Sequence, residues 1–375
     1  MRKIRIGVIG VGLIGKTHLN NYSKIEGADV VAVCDINEQE ARNVAEHFNV
    51  PNVYTDFREL LKRDDIDAVD VCLHNNFHAP ITIAALEAGK HVYCEKPIAG
   101  TYYDGKKMLD VAKECGKLLH IQLATLYLKE TKAAKILIDG GKLGKIYHAR
   151  STGFRRRGRP FVDGYGTKAF TRKETATGGA LIDMGVYHIA QMLYLLDTPI
   201  PKRISGKVYQ EMEMDPARRD ESGFNVEELA LGFVKFENGL TLDIMEAWSV
   251  HLGGMEGSSI MGSTGGIRLS PFQGGPQPNA FSFHSTVCDM DFDSTVDLDA
   301  ANYRWSTLGK NADAYDSSQH HWIAALQEKV ELLPTAEIAL QTMLISEGIY
   351  LSDQRGEEVS VEELEVQSQS TSVTV

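Results

Sequence analysis

The chain reads as an α/β protein in which a doubly wound parallel sheet is followed by an α+β domain with a large, mainly antiparallel open sheet. Three observations predict that division. Ile6-Gly7-Val8-Ile9-Gly10-Val11-Gly12-Leu13-Ile14-Gly15 joins a mostly apolar strand to a glycine loop and the start of a helix. Strand and helix signals then alternate as far as residue 124, which implies right-handed βα crossovers and a parallel sheet. From residue 125 strand candidates dominate and are separated by turns, as in an antiparallel arrangement. At 375 residues the chain is long enough for two domains of ordinary size. We expect a first domain over 1–124 and a second over 125–375, with the last helices able to pack back on the first.

In the first region, Lys3 to Ile9 alternates poorly and is mostly apolar, which suits a strand buried on both faces in a parallel sheet. Val30 to Cys34 is a second strand, and Asn37 with Glu40 starts a helix running to about Phe48. Asp56 to Lys62 is a short helix, Ala68 to Leu73 a strand, and Ala79 to Ala88 a helix closed by Gly89. His91 to Cys94 is a strand, Thr101 and Asp104 open a helix that ends near Gly116, and Leu118 to Leu123 is the last strand. In the second region, Lys132 to Asp139 is helical. Strands are expected at 146–154, 203–213, 228–236, 240–248, 258–261 and 266–269, with an Asn238-Gly239 hairpin turn. Helices are expected at 179–196, 316–332 and 335–351. Residues 270–312 suggest irregular structure or short edge strands, and the polar tail from Gln367 to Val375 suggests fraying.

The glycine loop has G-x-G-x-x-G spacing between a strand and a helix. Gly10 permits the turn, Gly12 admits a pyrophosphate, and Gly15 lets the helix pack on the sheet. Leu13 and Ile14 begin the helix, whose N–H groups and dipole would receive the phosphates. Asp35 ends the second strand, twenty positions after Gly15, where a carboxylate accepts the adenosine ribose hydroxyls. That carboxylate would repel a 2′-phosphate, and Ile36 and Asn37 supply no cation. NAD is therefore expected over NADP, although Arg42 is near enough in sequence to leave NADP open.

Composition narrows the function further. The net charge of −12 argues against general nucleic-acid binding and against an anionic membrane surface. No apolar run reaches the roughly 18 residues of a membrane span. The chain opens Met1-Arg2-Lys3 and runs straight into a strand, without a signal-peptide pattern. The five cysteines form no C-x-x-C pair, which suits a reducing cytoplasm.

Three clusters could carry chemistry. Cys94-Glu95-Lys96-Pro97 follows the fifth parallel strand, and ligands of such sheets bind beyond the strands' carboxyl ends. A partly desolvated lysine there could shuttle a proton. Gly178-Gly179-Ala180-Leu181-Ile182-Asp183-Met184-Gly185-Val186-Tyr187-His188 places Asp183 and Tyr187 four apart on one helix face, with His188 about 100° round. Phe154-Arg155-Arg156-Arg157-Gly158-Arg159-Pro160, running on to Tyr165, offers Arg156, Arg157 and Arg159 as forked donors and Tyr165 as a sugar-stacking ring. A solvated charged loop would show the same composition.

These pieces together resemble the Gfo/Idh/MocA oxidoreductase family: the glycine loop, Asp35, Glu95-Lys96-Pro97, and Gly178 through Asp183 to His188. The resemblance extends over nearly the whole chain, as far as Ser346-Glu347-Gly348-Ile349-Tyr350. It implies that Lys96 handles the substrate hydroxyl proton and that Asp183 is the family's acid. The residue four beyond that acid is His in many members and Tyr in others. Here it is Tyr187 with His188 adjacent, and both stay candidates, helical geometry favouring Tyr187. After the fourth strand the family's Thr-Pro-Asn-x-x-His becomes Leu73-His74-Asn75-Asn76-Phe77-His78. Leu73, His74, Asn75 and His78, with Glu95 and Lys96, are thus candidate cofactor contacts. His74 and His78 stand at i,i+4, yet nothing else completes a metal set, so no metal is expected. Family members often carry Asn and Arg where this chain has Ile121-Gln122-Leu123-Ala124-Thr125-Leu126-Tyr127. Gln122 becomes a cofactor candidate and Tyr127 a substrate candidate, beside Asp183 and His188.

The resemblance implies an NAD-dependent dehydrogenase acting on a secondary hydroxyl of a sugar, inositol or glycoside, including C3 of a glycoside. Two alternatives follow the same residues. One is an NAD-dependent glycosidase that oxidises its sugar transiently and eliminates the aglycone. The other is a non-catalytic NAD-sensing regulator, against which Lys96 and Asp183 argue. The antiparallel sheet offers a face for self-association, so a homodimer or homotetramer is expected.

Overall fold

A computed structural model of the chain describes residues 2–270 and 281–375. They form two compact units. The first takes Met1–Leu123, Gly309–Leu340 and Ser370–Val375, and the second takes Ala124–Leu308 and Gln341–Gln369.

The first unit is built on β1 (Ile4–Ile9), β2 (Ala28–Cys34), β3 (Val53–Tyr54), β4 (Ala68–Val71), β5 (His91–Cys94) and β6 (Leu119–Ile121). They pair in parallel in the order β3-β2-β1-β4-β5-β6. The order reverses between β1 and β4, which creates the crevice where such sheets bind ligands. Ile6, Val8, Val69, Val71 and Val92 are fully buried, which explains the near-continuous apolar strands. Helix starts are capped as their sequences require: Asn37 accepts from Glu40 N at 3.1 Å, Asp56 from Arg58 N at 2.9 Å, and Thr101 from Asp104 N at 3.3 Å. The helix Ser318–Leu326 contributes Trp322 and Ile323 to the core around Ile6, Val8 and Leu19.

The second unit carries β7 (Ile146–Phe154), β8 (Pro201–Tyr209), β9 (Leu229–Phe236), β10 (Thr241–Ala247), β11 (Ser259–Gly262), β12 (Gly265–Arg268), β13 (Ser282–Val287), β14 (Met290–Thr295) and β15 (Val359–Ser360). Their order is β14-β13-β12-β11-β7-β10-β9-β8-β15. Within this sheet, among the described residues, β7 and β10 are the one strand pair that runs parallel. Gly239 makes the β9–β10 turn at φ +83°. Two-residue periodicity puts Leu242, Ile244 and Glu246 on the buried face of β10. Burying a carboxylate there demands a polar partner, and the helix Val186–Leu195, packed on β7, supplies one.

Several expectations change. The strand expected at 203–213 stops at Tyr209, and Asp215 caps a short helix, Pro216–Ser222. Within 270–312, β13 and β14 form an edge hairpin and Leu298–Leu308 is a helix, while 271–280 lie outside the described residues. The tail is not frayed. Ser370 Oγ donates to Asp104 Oδ1 at 2.6 Å, Thr371 N to Asp104 Oδ2 at 3.0 Å, and Val373 N to Asn76 O at 3.2 Å. The buried Asp104 carboxylate needs donors, and the polar tail provides them. Among the described residues no helix is long and apolar enough to cross a membrane.

Candidate active site

The glycine loop lies at the carboxyl end of β1. Gly10 has φ +92°, and a Cβ there would meet Cys72 O at 2.3 Å; one on Gly15 would meet Gly10 O at 2.1 Å. Packing therefore requires both. A Cβ on Gly12 would meet nothing within 4 Å, so the loop is open on that side. The helix Leu13–Tyr22 has no acid in its first turn and no side-chain cap, which suits an anion at its N-terminus. Leu13 and Ile36 are 86% and 94% exposed, apolar surface that a bound dinucleotide would cover. Asp35 Oδ2 accepts from Val11 N at 3.0 Å and Oδ1 from Asn37 N at 2.9 Å, so the ribose candidate also braces the loop. Beyond β6, Gln122 Oε1 is buried with no hydrogen-bond partner among the described residues, an acceptor suited to a carboxamide N–H. These residues fit NAD.

The next two strand ends divide the remaining candidates. His74 is the exposed N-cap of the helix Asn75–Glu87, with Asn75 half-buried behind it. His78 is fully buried, its ring nitrogens 2.7 Å from Pro97 O and 3.0 Å from Leu73 O. Burial pushes its pKa down. It braces the Lys96 turn against the helix start, which removes it from the surface a cofactor could touch and from any metal pair with His74. The Lys96–Pro97 peptide is cis. Glu95 is buried too: Oε2 accepts the Lys96 N–H at 3.0 Å and Oε1 lies 2.9 Å from His18 Nε2. Burial alone would raise the Glu95 pKa, but the His18 hydrogen bond and charge, with Lys96 and His78, hold it below the usual value. Glu95 thus supports the turn from inside.

In the second unit, residues Leu181–Gly185 form a π-helical turn before the helix Val186–Leu195. Such turns insert a residue and occur at functional sites. They also disturb the 100° spacing that favours Tyr187 over His188. Burial separates the two instead. His188 is turned inward, Nδ1 2.9 Å and 3.1 Å from the Glu246 carboxylate, which also accepts from Ser151 Oγ at 3.2 Å. Tyr187 is half-buried, and Thr125 Oγ1 holds its carbonyl at 2.9 Å. Asp183 Oδ2 accepts from Trp248 Nε1 at 3.0 Å and lies 3.9 Å from Arg155 Nη1. Arg155 hydrogen-bonds the Tyr165 hydroxyl and sits 5.0 Å over its ring.

Of the arginine run, then, it is Arg155 that reaches Asp183. Arg156 and Arg157 are exposed, with Arg157 Nη2 3.7 Å from Asp163. Arg159 is buried and uses all five N–H donors on Asp163, Glu228 and the carbonyls of Met212 and Glu213. The guanidinium therefore anchors the loop and has no donor left for a substrate. Tyr127 is also buried, in the turn Ala124–Tyr127.

Residues 4–123 match an oxidoreductase family with an NAD-binding Rossmann fold, and residues 131–268 match the GFO/IDH/MocA C-terminal domain. The chain belongs to the Gfo/Idh/MocA family of oxidoreductases. A family relative, the D-glucoside 3-dehydrogenase of Escherichia coli K12, is 32% identical over 281 residues, covering 72% of this chain and 77% of that protein. The myo-inositol 2-dehydrogenase of Thermotoga maritima is 30% identical over 215 residues, 57% of this chain and 61% of that one. A levoglucosan dehydrogenase solved with NADH and L-sorbose shares the fold at TM-score 0.78 and 22% identity, over 96% of this chain and 99% of that one. As a family member the chain is an NAD-binding oxidoreductase with a Rossmann domain.

His18, Asp70, Glu227, Glu246 and Trp248 escaped the sequence reading as site residues, and Arg155 stood there only as one member of the arginine run. His18 lies three residues beyond Gly15, close enough to the loop to have been singled out. Glu246 alternates with apolar residues and so betrays a buried carboxylate. Glu227 accepts Gly179 N at 2.8 Å and Leu181 N at 3.0 Å, with Tyr350 Oη at 2.9 Å, and pins the start of the Asp183 turn. Burial pushes its pKa up. No local pattern links residues so far apart in sequence.

Proposed function

We propose that this protein is an NAD-dependent dehydrogenase that oxidises a ring secondary hydroxyl, with C3 of a glycoside as the preferred site. The observation that carries the reading is the Asp183 cluster. A carboxylate fixed by an indole N–H and flanked by a guanidinium stacked on Tyr165 offers hydroxyl-binding groups beside a ring-binding face, as a pyranoside needs. The similarity to a glucoside 3-dehydrogenase supports the same substrate class.

In this reading Lys96 accepts the hydroxyl proton, Asp183 orients the sugar, and Tyr187 relays the proton. His188, locked on Glu246, holds that helix segment in place. Bound NAD supplies the hydride acceptor at its nicotinamide C4. Arg155 and Tyr165 bind the ring or its aglycone; Arg156 and Arg157 border that loop. The free cysteines suit a reducing cytoplasm, and the open sheet suits a homodimer or homotetramer.

A panel of glucosides, inositols and aldoses with NAD and NADP, followed by NADH absorbance, tests this. Steady NADH formation with a glucoside and NAD is expected. Aglycone release without net NADH would assign the glycosidase instead. Lys96→Ala should lower kcat by about 10³-fold and leave the fold intact; unchanged turnover would remove Lys96 from the mechanism.

A further inference from the structure

Inside the first unit, three elements converge on one imidazole. His18 comes from the helix Leu13–Tyr22, Asp70 from β4 and Glu95 from the end of β5. All three are buried. His18 Nδ1 is 2.9 Å from Asp70 Oδ2, and Nε2 is 2.9 Å from Glu95 Oε1. Carboxylates only accept hydrogen bonds, and a neutral imidazole has a single N–H. A carboxylate on each ring nitrogen therefore calls for the imidazolium.

The remaining neighbours agree. Cys72 Sγ lies 3.2 Å from His18 Nδ1 and 3.3 Å from Asp70 Oδ1. Burial and Asp70 push its thiol pKa well up, so it is a neutral donor. Tyr22, on the same helix, is buried too, and burial first, then the charge of Asp70, raises its pKa, so its hydroxyl stays neutral. Tyr93 packs edge-on to His18 at 5.5 Å and donates its hydroxyl to Ser318 Oγ at 2.8 Å. Burial opposes a charge on His18, but the polar pocket outweighs it, with the Asp70 carboxylate acting by both charge and hydrogen bond, and the His18 pKa stands well above the ordinary value.

His18, Asp70 and Cys72 are also a set that could ligate metal. Donors around a tetrahedral zinc stand about 3.3–3.6 Å apart. The contacts of 2.9 Å and 3.2 Å at His18 Nδ1 are hydrogen-bond lengths instead.

We propose that His18 is a positioning residue for Lys96: an imidazolium clamped between Asp70 and Glu95 that fixes the Glu95 carboxylate, which in turn holds the Lys96 main-chain N–H. The clamp ties the helix behind the phosphate loop to the turn bearing the proton acceptor. Each Glu95 oxygen has one task, Oε1 on His18 and Oε2 on Lys96 N. Loss of the first frees the second to rotate. The proposal rests on the dehydrogenase reading for its kinetic consequence and on geometry alone for the charge state.

Two measurements test it. In full-length wild-type protein, ¹⁵N NMR of the His18 ring should show both nitrogens protonated at pH 8. A ring with one unprotonated nitrogen, or a stoichiometric bound metal by elemental analysis, overturns the clamp. This arm holds or fails whether or not any sugar is turned over. Then His18→Gln is compared with wild type at saturating NAD on the best glycoside. A drop in kcat of about 10- to 100-fold is expected, with NAD affinity and glycoside KM within about threefold. The pH of half-maximal kcat should also move upward, because removing the cation leaves Lys96 beside more negative charge. An unchanged kcat and pH profile in folded His18→Gln, or a loss traced wholly to NAD affinity, overturns the positioning role. If His18→Gln does not fold, Glu95→Gln takes its place. It keeps the size of the side chain, and the same kcat drop is expected.

Discussion

Two buried cations, one in each unit, sit between two carboxylates, and they do different work. Arg159 lies between Asp163 at 2.9 Å and Glu228 at 3.1 Å. His18 lies between Asp70 and Glu95, both at 2.9 Å. The guanidinium is always charged, presents a rigid fork, and uses every donor to tie its loop down, on Asp163 within the loop and on Glu228 and the carbonyls of Met212 and Glu213 beyond it. The imidazolium has only two donors, and one of its carboxylates passes the constraint on to the Lys96 turn. The first arrangement fixes a loop. The second fixes a turn through a group that can also titrate. The difference teaches that burial and charge pairing alone do not mark a residue as functional; what the partners touch next does.

The largest expected effect breaks the Arg159 side. Arg159→Met removes the cation and leaves Asp163 and Glu228 buried without it. Now the Asp163 pKa, which burial would raise, is held down by Arg159. We expect a loss of about 3–5 kcal/mol by urea unfolding, and recovery of part of it when Glu228→Gln is added. A variant as stable as wild type would show that the loop holds without its anchor.

A third set of buried groups sharpens the contrast. His120 and His321, in the first unit, meet hydroxyl and main-chain groups. His120 meets Ser318 Oγ and Thr335 Oγ1, each at 2.9 Å, and His321 Nε2 accepts from Leu333 N at 2.9 Å. Burial pushes the His321 pKa down to about 4, and burial with His321 lowers that of His120. A folded value below the unfolded one of about 6.5 gives stability that is full above pH 6.5 and is lost as pH falls toward 4. His321→Phe should flatten that acid limb by about 3 kcal/mol. His18 has the opposite sign: its raised folded value gives stability that is full below about pH 6.5 and is lost as pH rises through that raised value. The stability gap between wild type and His18→Gln should therefore narrow at alkaline pH, by about 1.4 kcal/mol for each pH unit between the folded and unfolded pKa of His18. The gap for Arg159→Met should stay level over the same range. Parallel curves for both variants would contradict the charged imidazole.

Much of the first unit was legible because its signals are local. The glycine loop, Asp35 and the Lys96 turn sit at strand ends within short motifs, and the parallel strands are mostly apolar. Asn238-Gly239 and the strand 146–154 were equally plain. The second unit's chemistry was less legible because its partners lie far apart in sequence. Trp248 reaches Asp183 across 65 residues and Glu246 reaches His188 across 58. The π turn at Leu181–Gly185 also broke the periodicity used to rank Tyr187 and His188. In the arginine run, composition could not show which side chain turned inward. One residue of register separates Arg155, beside Asp183, from Arg156, in solvent.

The smallest effect comes from that run and asks which arginine serves the substrate. Arg155 is held near Asp183 by the Tyr165 ring and hydroxyl, so its guanidinium is already oriented and little freedom is lost on binding a sugar. A hydrogen bond from a charged donor contributes about 1.5–3 kcal/mol, so Arg155→Ala should raise the glycoside KM by about tenfold or more. NAD affinity should not change. Arg157 is 70% exposed at the side chain and touches Asp163 only at 3.7 Å. An exposed pair of that length contributes about 0–1 kcal/mol, and Arg157→Ala should leave KM within about twofold. Equal effects from the two would return the loop to a general field of positive charge. A KM rise confined to Arg155→Ala would assign the contact to the one arginine that stands on an aromatic ring beside the acid.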